Sequence, residues 1–484
     1  MKNYIAPINK LPSEVFSLIP EYWESEGEDE DLIAMTHVCR CWREILIARS
    51  SLWACLDCTN IDKTRVYIER SKSSPLELSL YESQVEIFLE DAFLLVAPHI
   101  SRLKSLSLTV TTDLLKNLTP HFSRPIPLLR KLSIDIFGLS TAVLEDTLFN
   151  GDLSSLRSLA LDTVTTHLPW RNLSNLTTFK LSFTPEGEPS IARLLDFFED
   201  AHHLRDITLH HSIPVSSNAP PERVVPLPSL KNLTIDTDED HSILLDHLSI
   251  PVGASLTLEF TFSHNTFPLL DLLPEALGNF KHISPTTSLN ICLDRTEKYV
   301  RLGGPNGELR MLGDRRDPVD DSSFILDYRI LQSLTRFDLS GIQRLVITKY
   351  RAPTIDKIDE SAPRCILLRM EDLRSLTLSQ CDNLPFIDAL DPDQYLLERV
   401  LCPKLEQLVL YVNELESFNI IELMRVAKAR ASGGMKLSSV TIVGLGELIP
   451  GEEVFKLEDY VTHMDYGVGE NPPRWDSIPE GGDS

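Results

Sequence analysis

The chain is poor in features that mark whole classes of protein. No apolar run reaches the roughly 18 residues that a membrane-spanning helix needs. The start, MKNYIAPINK, has no apolar segment of the kind found in secretory signals, so we expect no such signal. Basic residues are also scarce: 46 Lys and Arg stand against 71 Asp and Glu, for a formal net charge of −25. Because a basic surface supplies most of the affinity for nucleic acid and anionic membranes, we expect neither as a partner.

Cysteine is sparse and scattered. The chain has eight cysteines, at positions 39, 41, 55, 58, 292, 365, 381 and 402. Without an export signal, dispersed cysteines are typical of reduced thiols, which predicts a cytoplasmic or nuclear location.

Motifs of catalysis are also missing. We find no G-x-S-x-G, H-E-x-x-H or kinase signature. The run Gly303-Gly304-Pro305-Asn306-Gly307 lacks the Lys-Ser/Thr of a phosphate-binding loop and precedes no predicted helix, so it is interpreted as a turn. We therefore expect no enzymatic activity and no cofactor.

Two weaker patterns suggest metal sites. Cys39-x-Cys41 with Cys55-x-x-Cys58 differs from standard zinc-finger spacing, and Cys39 lies on an apolar helical stripe, which favours buried or unused thiols. The pairs His202-His203 and His210-His211 have no carboxylate cluster at ligand spacing, which favours surface histidines.

The first segment has the texture of short helices. Leu11-Pro12-Ser13-Glu14 suits a helix start, because proline needs no backbone partner there and Glu14 faces the positive helix end. Residues 21–31 hold seven acids and no Lys or Arg, which predicts an exposed loop. Apolar residues at helical spacing lie on both sides of this loop: Val15, Leu18 and Ile19 before it, and Leu32, Met35, Val38, Cys39 and Trp42 after it.

From about residue 100 the pattern L-x-x-L-x-L recurs. The copies begin at Leu103, Leu129, Leu156, Leu176, Leu204, Leu230, Ile342, Leu373, Leu405 and Leu437. Successive starts differ by 20 to 28 residues up to Leu230 and by 31 or 32 after Ile342. Such a period indicates a solenoid, in which each unit buries its apolar face against its neighbours. The last two apolar positions of each copy alternate like a strand with one buried face.

Helical patterns lie between some of these strands, notably over 190–198 and 419–431. Strand, turn, helix and strand in succession predict parallel strands with helices on the convex side. The interval 236–341 fits less well. Strands are predicted around Leu256 and Leu289, a hairpin with a glycine-rich turn over 299–312, and an insertion over 295–330. Residues 450–484, with nine acids and two Lys or Arg, are expected to be a mostly disordered tail.

The first segment resembles the F-box, and the whole run from Ile8 to Ser79 looks like the large F-box families of mushroom-forming fungi. The matching residues are Leu11-Pro12-x-Glu14-Val15, Leu32, Val38-Cys39-Arg40-x-Trp42-Arg43 and Leu52-Trp53. The acidic insert at 24–31 departs from the family pattern without touching the apolar positions. The resemblance implies a three-helix box over residues 5–60 that binds a Skp-type adaptor of a cullin ubiquitin ligase. The implied adaptor-binding residues are Leu11, Pro12, Val15, Ile19, Leu32, Val38, Cys39, Trp42, Leu52 and Trp53.

The body resembles leucine-rich-repeat proteins. Two copies are close to that pattern, the one from Leu405 to Leu415 with Asn413 and the one from Leu373 to Cys381, whereas the others lack the Asn or Cys and indicate an irregular array. The resemblance implies a connecting or capping segment over 61–100 and a solenoid over 101–449. Residues between the leucines then face a polar concave surface. The target-binding candidates there are Asp135, Asp162, Asp206, His210, Asp236, Gln407 and Tyr411, and a merely solvated sheet face is the alternative.

Two functions follow from these resemblances. One is a substrate-recognition adaptor of an SCF-type ubiquitin ligase that binds an unknown protein target. The other is a repeat scaffold that binds partners without a role in ubiquitin transfer. Both need the same N-terminal surface, so the sequence does not separate them.

Overall fold

The computed structural model describes residues 8, 11–16, 30–82, 89–138, 142–144, 148–166, 173–183, 190–212, 222–237, 242–262, 273–274, 283–293, 297–315, 334–349, 361–379, 383–392, 400–412, 420–444 and 456–468. Over these ranges the chain is mixed α/β with a large, mostly parallel sheet, and it forms two compact units, residues 1–206 and 207–484.

The first unit carries most of the helices that the structure describes. They are α1 (Ser13–Phe16), α2 (Glu30–Val38), α3 (Arg40–Ala48), α4 (Ile61–Ser71), α5 (Leu89–Val96), α6 (Thr112–Leu118) and α7 (Ile191–Asp200), with short 3-10 segments that include Ser50–Trp53, Ala97–Arg102 and Thr119–Ser123. Its strands are β1 (Cys55–Leu56), β2 (Leu76–Tyr81), β3 (Leu103–Val110), β4 (Lys131–Ile136), β5 (Ala142–Leu144), β6 (Ser158–Asp162), β7 (Val164–Thr166) and β8 (Thr178–Ser182). The order β1-β2-β3-β4-β6-β8 is parallel throughout, and β5 and β7 form a separate parallel pair.

The second unit is richer in strands. They are β9 (Asp206–His210), β10 (Val225–Pro226), β11 (Asn232–Asp236), β12 (Leu248–Ser249), β13 (Ser255–Phe262), β14 (Ser288–Leu293), β15 (Glu297–Gly304), β16 (Gly307–Arg315), β17 (Arg344–Lys349), β18 (Ser375–Ser379), β19 (Gln407–Val412), β20 (Ser439–Gly444) and β21 (His463–Val468). Its helices are α8 (Ser242–Leu245), α9 (Ser361–Leu367), α10 (Leu384–Ala389) and α11 (Ile420–Ser432).

Strand pairing in the second unit is parallel with one local exception. β11 neighbours β9 and pairs with β13, which pairs with β16. β15 is antiparallel to both β16 and β14, and the parallel order then continues as β14-β17-β18-β19-β20-β21. β10 and β12 form a separate parallel pair.

All ten strands predicted from the L-x-x-L-x-L copies are confirmed. In the copy that begins at Leu373, the first leucine lies in a turn and its N–H donates to the Met370 carbonyl over 3.3 Å. The next two leucines, Leu376 and Leu378, lie on β18 with 0 % exposure. The same turn precedes β19, where the Leu405 N–H donates to the Cys402 carbonyl over 3.1 Å. Each copy therefore supplies three apolar side chains to the core and one strand to the ladder.

Helices cover the buried face where the sequence predicted them. Ser190 caps α7 by accepting from the Arg193 N–H at 3.4 Å, and the rings of Phe179 on β8 and Phe197 on α7 lie 4.8 Å apart. The helix predicted over 419–431 is confirmed as α11.

The segment predicted to connect or cap over 61–100 needs a correction. It contains α4, β2 and α5, and β2 pairs with β3 so that Leu78 lies opposite Leu106 and Leu80 opposite Leu108. The sheet therefore starts before residue 101. The alternating leucines of β2 lack the preceding leucine of the motif, which is why the repeat pattern did not include them.

The predicted hairpin is confirmed, but its place in the sheet was not anticipated. β15 and β16 are joined by a turn at Pro305-Asn306, and Gly307 has φ +130° and backs closely onto the Ala254 carbonyl, where a larger residue would clash. Both strands lie within the ladder rather than outside it, so the segment 297–315 of the predicted insertion adds strands to the sheet. Residues 316–333 lie outside the described part of the chain.

The predicted disordered tail is wrong for residues 456–468. They contain a 3-10 turn over Leu457–Asp459 and β21, which pairs in parallel with β20. Leu457 and Val461 are buried there. These two apolar residues anchor a strand that the acidic composition of the tail concealed.

Candidate functional site

The apolar residues of the first helices divide into two sets. Buried ones are Phe16, Leu32, Met35, Leu46, Leu52 and Trp53. Exposed ones are Ile8, Leu11, Val15 and Val38, of which Leu11 is 39 %, Val15 46 % and Val38 52 % exposed. Pro12 is exposed as well. The predicted adaptor-binding residues thus include both core and surface positions, and Ile19 lies outside the described residues.

Trp42 belongs to the half-buried interior of these helices. Its ring centroid lies 4.7 Å from that of Phe16, which joins α1 to α3. Cys39 is the N-cap of α3, and its Sγ accepts from the Trp42 N–H at 3.4 Å. Arg43 Nε donates to the Thr36 carbonyl over 2.8 Å and ties α3 back to α2. Trp42 and Arg43 therefore link α3 to α1 and α2, while Cys39 caps α3.

Trp53 connects the first helices to the following segment. Its side chain is fully buried, and its Nε1 donates to the Leu46 carbonyl over 2.9 Å. The Tyr67 ring stands edge-on at 5.0 Å, and the Arg70 guanidinium lies 4.3 Å from the indole centroid. These contacts cross the boundary predicted at residue 60, so α4 is packed against the predicted box.

On the half-exposed sheet face of the first unit, two predicted target-binding acids are neighbours. Asp135 on β4 lies opposite Asp162 on β6. Partial burial, and then the charge of Asp162, raise the pKa of Asp135, while Lys180 opposes that shift. Asp206 is half-exposed, and its N–H donates to the Thr177 carbonyl over 3.1 Å.

In the second unit the structure pairs a histidine with an acid. His210 Nδ1 lies 3.1 Å from Asp236 Oδ2, and His211 Nε2 lies 4.0 Å from Asp236 Oδ1. Asp236 is opposite Glu259 on β13, and the pKa of Glu259 is raised by burial and by that neighbour, against His210. Sequence spacing could not indicate this cluster, because its members come from different strands.

The remaining two target-binding candidates are distant from that cluster. Gln407 is exposed and Tyr411 half-buried, and they lie opposite Ser375 and Ser379 of β18. Six strands lie between β11 and β19, so the two strands are about 34 Å apart along the sheet at the usual strand spacing. The structure therefore does not gather the predicted target-binding residues into one site.

A groove that was not predicted from the sequence lies at the amino-terminal ends of the first strands. Its volume is about 500 Å³, and its walls are formed by Ser51, Ala54, Cys55, Ser74, Pro75, Glu77, Lys104, Leu128 and Arg130. Lys104 and Arg130 each follow the first leucine of a repeat copy. A comparison of the residues at that position in successive copies would have predicted the basic wall from the sequence.

The cysteines and histidines form no metal cluster in the part of the chain that the structure describes, where no group of three or more His, Cys, Asp or Glu could hold an ion. Burial raises the pKa of the Cys58 thiol to about 12 and keeps it protonated. Within the same ranges, every helix is too short or too polar to cross a membrane. No protein-family model matches the chain, and no curated protein matches it.

Proposed function

We propose that the chain is a non-enzymatic substrate-recognition subunit of a cullin-type ubiquitin ligase. In this proposal the first helices are an F-box that binds a Skp-type adaptor, and the sheet-bearing body is an irregular leucine-rich-repeat solenoid that binds a protein target. The observation that carries it is the set of exposed apolar side chains at F-box-like positions: Leu11 just before α1, Val15 on α1 and Val38 at the end of α2.

These side chains fit a docking surface better than a fold core. Leu11, Val15 and Val38 expose two fifths to one half of their area. Burial of apolar area contributes about 25 cal/mol per Å². Because folding does not bury these side chains, a partner that covers them gains this contribution to its affinity. Leu32, Leu52 and Trp53 are buried, so they belong to the core and not to this surface.

The body supports the recognition half of the proposal. Its parallel strands bury one face and leave the alternate positions half-exposed, as in the burial pattern of β4, β6 and β9. In such a sheet the core residues and the surface residues occupy separate positions. The surface residues can therefore differ from one target to another while the fold stays constant.

Binding of a purified Skp-type adaptor to the full-length chain tests the adaptor half. The double variant Leu11→Ser/Val38→Ser removes two exposed apolar side chains, and Val252→Ser is the matched control because Val252 is 59 % exposed in the second unit. We expect the double variant to lose binding, the control to bind normally, and both to melt like the wild type. Wild-type binding by the double variant would reject the F-box assignment.

Affinity purification from cells, with and without proteasome inhibition, separates delivery from scaffolding. For a ligase subunit, proteins that co-purify with the body should accumulate when the proteasome is inhibited. If the adaptor co-purifies and the abundance of every bound protein stays constant, the scaffold alternative is correct.

A further inference from the structure

A row of basic side chains runs along the amino-terminal edge of the strands in the first unit. Lys104, Arg130, Arg157 and Arg205, here called the basic row, each directly follow the first leucine of a repeat copy, and all four are exposed. Thr177 occupies this position in the fourth of the five copies.

Backbone hydrogen bonds place these residues side by side. The Arg130 N–H donates to the Lys104 carbonyl, and the Arg157 N–H donates to the Arg130 carbonyl, each over 2.8 Å. Thr177 and Arg205 continue the same chain of bonds, again at 2.8 Å. The row therefore advances by one strand spacing per residue and spans about 19 Å from end to end.

Few carboxylates balance these charges. Lys104 Nζ lies 2.8 Å from Glu77 Oε1, and Arg157 Nη1 donates to the Asn175 carbonyl over 3.3 Å. Over the ranges that the structure describes, Arg130, Arg157 and Arg205 have no ion-pair partner. Like charges on adjacent strands destabilise a sheet, so folding gives no reason for this arrangement in a chain of net charge −25.

In the second unit, exposed Lys231 occupies this position in the copy that begins at Leu230, whereas the last four copies have no net charge there. Gln343, Arg374, Glu406 and Ser438 follow the first apolar residue of their copies and are linked by the same backbone bonds, at 2.8 to 2.9 Å. There Arg374 Nη1 lies 3.3 Å from Glu406 Oε1, so the one Arg is paired within the edge.

The groove at the amino-terminal ends of β2 and β3 is continuous with the basic row. Lys104 and Arg130 form part of its wall, and the apolar atoms of Leu128, Pro75 and Ala54 form another part. Leu128 is 45 % exposed. The edge thus combines a line of cations with an apolar recess at one end.

We propose that this edge binds a short extended peptide segment of a partner protein that carries several carboxylate or phosphate groups and an apolar side chain for the groove. A span of about 19 Å matches about six residues of extended peptide, and guanidinium groups bind carboxylates and phosphates with two parallel hydrogen bonds. Nucleic acid fits less well, because the groove wall has no aromatic side chain for base stacking. The inference rests on the proposed recognition function only in treating this peptide as part of a target.

Fluorescence anisotropy with the full-length chain tests the inference without any adaptor, so its failure is distinguishable from failure of the F-box assignment. The probes are labelled peptides of alternating Glu and Ser with a terminal Leu, the same peptide with phosphorylated serines, a version with Lys in place of Glu, and an oligothymidylate of matched charge. We expect saturable binding of one or both acidic peptides that weakens as salt rises, because exposed charges are screened.

The triple variant Arg130→Gln/Arg157→Gln/Arg205→Gln should bind the acidic peptide about tenfold more weakly, since three exposed charge contacts are lost. Arg374→Gln is the matched control and should bind as the wild type, and a triple Arg→Lys variant should retain most of the affinity. Binding of only the phosphorylated peptide would identify phosphate as the recognised group. Equal binding by the wild type and the Gln variant, no acidic-peptide binding, or tighter binding of oligothymidylate would overturn the inference.

Discussion

The first helices expose apolar side chains, whereas the region around α10 and α11 buries charged ones. In the first helices, apolar Val38 and Val15 are about half exposed, at 52 % and 46 %. Around α10 and α11, charged Arg430 and Asp391 are buried, at 0 % and 4 %.

The difference shows where each region finds its interaction partners. Arg430 Nη1 donates to the Leu401 carbonyl over 3.2 Å, and its Nη2 donates to the Cys402 carbonyl over 2.9 Å. Asp391 is paired with Arg425. The body thus bonds both terminal nitrogens of Arg430 to carbonyls and pairs Asp391 with Arg425, which lowers the cost of burying charge, while Arg430 Nε has no hydrogen-bond partner among the described residues. The first helices leave apolar side chains exposed to solvent, which is expected of a surface that another molecule covers.

The largest effect should come from the buried charge. Arg430→Met keeps most of the side-chain volume but leaves the carbonyls of Leu401 and Cys402 buried without their donors. We expect the free energy of unfolding to fall by about 3–5 kcal/mol, measured by denaturant titration. A loss below about 1 kcal/mol would show that water replaces the guanidinium and that this region is less self-contained than its burial indicates.

Leu376 and Thr377 separate core from surface within one strand. Leu376 is fully buried between Leu345 and Leu408 on the neighbouring strands, whereas Thr377 is half-exposed. Leu376→Ala should destabilise by about 2–5 kcal/mol and Thr377→Ala by about 0.5 kcal/mol.

Hydrogen exchange should locate the damage of Leu376→Ala around residues 342–415, while β3 and β4 stay protected, because a repeat leans mainly on its neighbours. If the two variants melt alike, the assignment of buried and half-exposed strand positions is wrong.

A smaller effect should depend on pH. Arg425 Nε donates to Glu422 Oε1 over 2.9 Å, while burial and the neighbouring Asp388 raise the pKa of Glu422 to about 7. The unfolded carboxyl has a pKa near its ordinary 4.5. A raised folded pKa means that the proton's contribution to stability is complete below pH 4.5 and is lost as the pH rises through about 7.

Glu422→Gln should therefore flatten the decline in melting temperature over that window. Glu44→Gln is the control, because Glu44 forms an exposed pair with Arg40 at 2.7 Å. An unchanged pH profile in Glu422→Gln would assign the dependence to other groups.

The smallest effect should come from the exposed apolar side chains. Val38→Ser should change the free energy of unfolding by about 0.5 kcal/mol or less, as exposed substitutions usually do. Thermal melts of the full-length protein, compared with Val252→Ser, measure this. A loss of several kcal/mol would mean that Val38 is buried by the chain itself and would remove the contrast between the two regions.

The strands of the L-x-x-L-x-L copies were predictable because each copy buries apolar residues at fixed spacing, as at Leu376 and Leu408. Pairing between strands was not, since the antiparallel β15 depends on which neighbours it meets and not on its own periodicity. β21 escaped prediction because its segment, HMDYGV, has few apolar residues and its anchors, Leu457 and Val461, precede it.

The sequence could identify candidate site residues, but it could not show which of them are exposed or which lie next to each other. The helical stripes of the sequence include both Val15 and Leu32, and only tertiary packing exposes the first and buries the second. His210 and Asp236 are on different strands, so their contact needed the fold. The basic row was visible in the sequence at the position after each first leucine, but its continuity needed the backbone bonds.

Trp53 has a mechanical consequence. Only Ala54 separates it from β1, which is hydrogen-bonded to β2 at the edge of the first unit's sheet. Through Trp53, the buried core of the first helices is therefore joined to that sheet edge by a single residue. If a partner binds at Leu11 and Val38 as proposed, each further strand of this sheet lies about 4.8 Å farther along the sheet from it. On that proposal, the number of strands in the first unit would set the distance along the sheet between this partner and a second molecule bound farther along the strands.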